Sequence, residues 1–176
     1  MVNFDYDCSG WATKAKTKCY DGLTIAPGAF KECSGKVRPM VYNHDHNNIE
    51  NVLGHCLLEN RPGGVYCYAK FNDTPTGRTA KACVESGDLN AFSIYANCIK
   101  KTGNTVQHGI IQEVSLVLAG CNPGALIDEV VKHSANEDYE GGEAFIYNDP
   151  GLSLTHGMDP EGNPLEDLTH SADSGD

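Results

Sequence analysis

The sequence predicts an α+β fold: a mostly antiparallel, closed β-barrel with helices around it. Three observations predict it. Most of the apolar residues lie in short runs with a two-residue period, the period of a strand with one buried face. Turn formers such as Pro27-Gly28 and Asn60-Arg61-Pro62-Gly63-Gly64 separate those runs. Only two segments carry helical spacing and caps. Closure follows because an open sheet of short strands leaves unpaired edges, and a barrel removes them.

Taken in order, residues 4–12 read as a strand holding Trp11, the only tryptophan, and turns fall at Gly10 and Asp21-Gly22. Leu23-Thr24-Ile25 is a short apolar run, and residues 29–33 fit one or two helical turns. Strands are expected at 37–44, at 49–59 and at 65–72, the last two forming a hairpin. In the third, Val65, Cys67, Ala69 and Phe71 share a face. Thr74 and Pro75 suit the N-cap and first position of a helix, Ala80, Cys83 and Val84 its buried stripe, and Gly87 its stop. A further strand covers 91–97, and 106–118 is a strand pair or one long bent strand. Asn122-Pro123 is expected to cap a second helix over 124–133, with Leu126, Val130 and Ile127 inward.

The charge divides the chain. Of 13 Lys and Arg and 24 Asp and Glu, residues 1–133 hold every base and 13 acids, so the net charge of −11 belongs to residues 134–176. That segment is also rich in Gly, Pro, Asn and Asp, and reads as an acidic, partly disordered tail or linker on a neutral domain spanning 1–133. Its apolar patch Ala144-Phe145-Ile146-Tyr147 is the part expected to dock. Nothing in the domain forms a basic stripe, so nucleic acid is not an expected direct partner. No apolar run is long enough to span a membrane and the N-terminus is not signal-like, which places the chain in a cytoplasm. The eight cysteines include no C-x-x-C pair and read as reduced thiols; Cys67 and Cys98 fall in expected strands as small apolar residues.

Function concentrates in three stretches. In 91–97, Phe92, Ile94 and Ala96 form a core face, and Ala91, Ser93, Tyr95 and Asn97 the other, so Ser93 is a nucleophile if a base reaches it, and otherwise a surface serine. Glu113 interrupts an otherwise apolar strand and shares a face with Ser115 and Val117; it is either solvent-facing or a partnered acid. His44 and His46, two apart, share a face of a continuous strand, which also suits a metal pair, although no third ligand is evident nearby. His55 and His108 are further candidate bases beside Gly54 and Gly109.

Together these stretches resemble the prohead proteases of tailed phages, serine peptidases that mature capsids and are related in fold to herpesvirus assemblins. The resemblance is carried by Gly10-Trp11-Ala12, Ile25-Ala26-Pro27-Gly28-Ala29-Phe30, Tyr42-Asn43-His44-Asp45, Gly54-His55, Phe71-Asn72-Asp73-Thr74, Gly87-Asp88-Leu89, Phe92-Ser93-Ile94-Tyr95-Ala96, His108-Gly109, Glu113-Val114-Ser115-Leu116-Val117 and Asn122-Pro123-Gly124-Ala125. These run in the family's order over most of residues 4–127. The resemblance implies a herpesvirus-protease-like barrel of about seven strands. It implies a triad of His44, Ser93 and Glu113, whose third position is a second histidine in the herpesvirus relatives. Cys121 departs from the small residue expected before Asn-Pro.

The implied function is a serine endopeptidase that cleaves major capsid and scaffolding proteins during prohead maturation, with self-cleavage, inside the assembling prohead in the bacterial cytoplasm. The relatives also suggest a homodimer or higher oligomer, and no cofactor or metal is expected. The chemistry asks for an imidazole to take the serine proton, an acid to fix the imidazole, and donors for the oxyanion. Cys121 and Asn122 are the expected oxyanion donors, because they lead into the expected second helix. Two other readings stand beside this one: a catalytically inactive barrel that serves as an assembly scaffold, and a metal-dependent hydrolase built on His44 and His46.

Overall fold

A computed structural model describes residues 3–131 of the chain. Eight strands and one α-helix follow in the order β1 (Cys8–Lys14), β2 (Thr24–Ile25), β3 (Val37–Tyr42), β4 (Val52–Arg61), β5 (Gly64–Phe71), α1 (Pro75–Glu85), β6 (Ala91–Thr102), β7 (Thr105–Val117) and β8 (Ile127–Val130). The strands form one sheet, ordered β2-β7-β3-β4-β5-β1-β8, with β6 on the other edge of β7. All ladders are antiparallel except β2 and β3, which both run parallel to β7.

The expected closed barrel is corrected to an incompletely joined sheet. Its ends, β6 and β8, meet at one isolated bridge, Ala91 to Leu126. Two backbone bonds flank it: Phe92 N–H to Ala125 O at 2.8 Å and Ile127 N–H to Asn90 O at 2.9 Å. β8 has only four residues and spends them pairing with β1, so no ladder forms across the seam among the described residues. Gly10 allows that pairing, since a Cβ there would stand 2.3 Å from Leu126 O.

β8 also replaces the helix expected over 124–133. Asn122 caps a tight turn instead: its Oδ1 accepts from Gly124 N–H at 3.0 Å. The β-branched Ile127 and Val130 then extend along the free edge of β1, satisfying backbone groups that a helix would have left bare. Leu126, expected inward, is 46% exposed, while Ile127 and Val130 pack on the core. The helix at 75–85 forms as its caps predict. Thr74 Oγ1 accepts from Gly77 N–H at 3.1 Å, Pro75 opens the first turn, and Ala80 and Val84 are buried.

The hairpin β4–β5 is as expected, and 105–117 is one long strand. The first strand begins later than expected, at Cys8. Phe92, Met40, Leu58, Ile111 and Leu116 centre the core, joined by Cys8, Cys33, Cys56 and Cys67 acting as apolar residues. Cys98 does not join them. It is exposed, at φ 52°, where β6 bulges away from β7. The acidic tail lies outside the described residues.

Candidate active site

Three adjacent strands deliver the site. On β6 and β7, Ser93 faces Ser115 and Tyr95 faces Glu113, in the regular part of the ladder before the bulges begin. β3 lies along the other edge of β7, with Tyr42 opposite Leu116, and Asn43 N–H continues that pairing onto Leu116 O at 3.1 Å. The chain then turns sharply. Asn43 and His44 sit at φ 52° and 55°, the left-handed region that costs a non-glycine residue about 1 kcal/mol or more. The turn is held by Asp45 N–H to Tyr42 O at 3.0 Å and by His44 N–H to Ser115 Oγ at 2.8 Å. It swings both imidazoles back over β7.

The result is a continuous chain of hydrogen bonds. Ser93 Oγ is 2.8 Å from His44 Nε2, and His44 Nδ1 is 2.8 Å from Glu113 Oε1. The second oxygen, Glu113 Oε2, is 2.8 Å from His46 Nε2 and accepts from Ser115 Oγ–H at 3.2 Å. All these contacts are satisfied at once when Ser93 donates to Nε2, His44 carries its proton on Nδ1, and His46 carries its own on Nε2. Ser93 is half-buried, and Glu113 is only 3% exposed. Burial pushes the Glu113 carboxyl up, but the hydrogen bonds from His44 and His46, the electrostatic attraction of the His44 ring and the Ser115 hydroxyl outweigh it and hold it below its ordinary value. The site thus keeps a charged acid behind a base, and the base behind a hydroxyl.

Residues 9–139 match the sequence model of the caudovirus prohead serine proteases. The chain belongs to that family. Among curated proteins no sequence match is found. Among solved structures, the fold is similar to the protease of Kaposi's sarcoma herpesvirus bound to a hexapeptide phosphonate inhibitor. There the TM-score is 0.50 at 15% identity, over 68% of this chain and 62% of that one, so this chain spans under two thirds of its length. The same herpesvirus protease with an allosteric inhibitor gives a TM-score of 0.46 at 13% identity, over 70% of this chain and 76% of that one. At such identities the likeness concerns the fold alone.

Within this prohead protease fold, the three residues expected to act together, His44, Ser93 and Glu113, do stand in hydrogen-bonding contact. The solvent-facing alternative for Glu113 is overturned by its burial. His44 and His46 do not share the face of a strand, because β3 ends at Tyr42; the turn brings them to opposite oxygens of one carboxylate instead. That carboxylate is the third group the metal reading lacked, and the three donors lie within 4.8 Å of one another. His55 and His108 lie elsewhere, against Phe4 and near Glu32.

Cys121 and Asn122 line the same 280 Å³ cavity as Ser93. The helix that was to make them oxyanion donors is absent, however. The Asn122 amide is spent on β1, donating to Thr13 Oγ1 at 3.0 Å and Lys14 O at 2.8 Å. Ser115 escaped sequence reasoning altogether. Its only signal was the shared face with Glu113, and its role depends on a backbone N–H that arrives from another strand's turn.

Proposed function

We propose that the chain is a serine endopeptidase acting on capsid and scaffolding proteins, itself included, inside the assembling prohead in the bacterial cytoplasm. The observation that carries this reading is the unbroken Ser93–His44–Glu113 hydrogen-bond chain in a member of the prohead serine protease family.

In this mechanism Ser93 Oγ attacks the scissile carbonyl carbon as His44 Nε2 takes the hydroxyl proton. Glu113 accepts the Nδ1 proton in a hydrogen bond and steadies the imidazolium, while remaining a carboxylate itself. The tetrahedral intermediate collapses when His44 returns the proton to the leaving amine, forming an acyl-enzyme. Water then repeats the sequence with His44 as base and releases Ser93. His46 and Ser115 hold the far oxygen of Glu113 and so keep Oε1 aimed at His44. Backbone N–H groups around Cys121 and Asn122 are the proposed oxyanion donors, on the grounds that these residues line a cavity that Ser93 also lines.

Co-expression with the capsid protein of the same phage, followed by N-terminal sequencing of the products, tests the reading. Defined internal cleavage that disappears in Ser93→Ala supports it. An intact capsid protein together with no labelling of Ser93 by a fluorophosphonate would favour the inactive scaffold. Activity that follows a stoichiometric metal and survives Ser93→Ala would favour the hydrolase built on His44, His46 and Glu113.

A further inference from the structure

A second cluster of chemistry-bearing side chains borders the cavity beside Ser93. Cys19, Asp21 and Cys121 come from two loops far apart in sequence. Their two sulfurs and one carboxylate oxygen lie within 4.8 Å of one another. All three residues line the cavity that Ser93 also lines.

The loops that carry them are pinned. Tyr20 N–H donates to Cys121 O at 2.9 Å, which locks the two loops together. Cys19 sits in a tight turn, with its N–H on Leu23 O at 2.8 Å and its carbonyl accepting from Gly22 N–H at 2.9 Å. Asp21 Oδ1 accepts from Leu23 N–H at 2.9 Å, which orients the carboxylate. On the other loop, the buried Asn122 amide anchors the residue next to Cys121 onto β1. The backbone therefore holds the two loops together, and a hydrogen bond orients the Asp21 carboxylate.

From this geometry we infer that Cys19, Asp21 and Cys121 form a binding site for a soft divalent cation of the zinc class, and that its occupation obstructs the cavity beside Ser93. Two thiolates and a carboxylate are a donor set that zinc takes. With Zn–S bonds of about 2.3 Å, tetrahedral geometry asks for sulfurs about 3.8 Å apart, so the cluster needs to contract by about 1 Å at most. Binding displaces the two thiol protons into solvent, and a water molecule completes the fourth position. Asp21 and Cys121 are exposed, so a cation can enter without opening the core, and Cys19 forms the buried floor of the site.

The test is a cadmium titration of the full chain, kept reduced by a phosphine and followed by the ultraviolet thiolate-to-cadmium absorption band. One equivalent is expected to raise the band. Cys121→Ser should weaken binding at least tenfold, and Asp21→Asn several-fold; both positions are exposed, so the fold tolerates them. His46→Ala should leave the band unchanged, because the His44–His46–Glu113 group holds no sulfur. In parallel, zinc should slow fluorophosphonate labelling of Ser93 in the parent and leave it unchanged in Cys121→Ser. Absence of a band, or a band that survives Cys121→Ser, overturns the site. Labelling slowed equally in both proteins would place the obstructing cation on the histidines and overturn the link to this cluster. Failure of labelling without any metal would instead count against the serine reading, and leaves the absorbance test to decide the site by itself.

Discussion

The described chain buries two carboxylates almost completely, and they make different kinds of site. Asp7, 2% exposed, stands before β1 and meets Lys70 at 3.3 Å, Lys81 at 2.9 Å and the Phe71 N–H at 2.9 Å. Glu113, 3% exposed, meets two imidazoles and a hydroxyl. Both are held below their ordinary pKa even though burial pushes the other way. Burial and a perturbed acid therefore do not distinguish them; their partners do. A lysine ammonium is a permanent cation at neutral pH with nothing to pass on, so Asp7 ties β1 to β5 and α1. An imidazole can take and return a proton, and His44 reaches beyond Glu113 to a hydroxyl. The Glu113 network ends in a reactive atom, whereas Lys70, Lys81 and the Phe71 amide hold Asp7 in place.

The strongest way to break this comparison is to remove the reactive end. Ser93→Ala and His44→Ala should each abolish capsid-protein cleavage while leaving the melting temperature near that of the parent, since neither side chain is part of the core. Near-parental cleavage in either variant would take that residue out of the mechanism. One step inward, Glu113→Gln keeps the shape and removes the charge. Cleavage should fall by roughly two to four orders of magnitude, as it does for neutralised triad acids. Unchanged turnover would reduce Glu113 to a second Asp7, a structural acid that happens to lie near a serine.

How much of this was legible in the sequence depends on whether the signal was local. Thr74-Pro75 and the stripe Ala80 and Val84 specify α1 by themselves, and the alternation of β5 specifies a strand. The family motifs placed His44, Ser93 and Glu113 together. β8 was not legible as a strand, because Leu126, Ile127 and Val130 fit a helix as well, and only the open edge of β1 decides between them. Closure fails for the same reason: whether β6 and β8 join depends on the length of a strand that the local pattern hides. At His46 the pattern names the residue but not its geometry. Alternation assumed that β3 continued, whereas Asn43 and His44 adopt positive φ and break it. Asn-His-Asp after a strand is a turn-prone sequence, so that signal was available.

Asp7→Asn sharpens the comparison from the structural side. It should leave fluorophosphonate labelling of Ser93 intact and lower stability by about 2 kcal/mol, the scale of hydrogen bonds to charged groups. That corresponds to roughly 5–10 °C in melting temperature for a domain of this size. Its pH dependence carries a sign. The folded pKa of Asp7 lies below the ordinary value of 3.8, so its contribution is fully present above that value and is lost as pH falls through the folded pKa. The stability gap between parent and Asp7→Asn, measured by denaturant titration, should therefore be constant near neutrality and close below about pH 3.8. A gap that widened in acid would mean that the lysines do not hold the ionised form.

The smallest expected effect falls on His46, which tests whether the second oxygen of Glu113 matters. His46 Nε2 lies 2.8 Å from Oε2, and its ring packs edge-on to Tyr95 with centroids 5.4 Å apart. Losing it leaves Ser115 Oγ–H at 3.2 Å on the same oxygen, so the carboxylate stays partnered but is less firmly aimed. His46→Ala should lower kcat by about tenfold or less, with KM unchanged, because one modest hydrogen bond is worth about 1 kcal/mol and the residue does not touch the scissile bond. His46→Gln can return an N–H to Oε2 and should recover part of the loss. That recovery separates a brace from mere bulk. Equal activity in the parent and both variants would leave Ser115 as the only brace. Complete loss in both variants, restored by no amide, would move the site toward the metal reading, in which His46 is a ligand that glutamine replaces poorly.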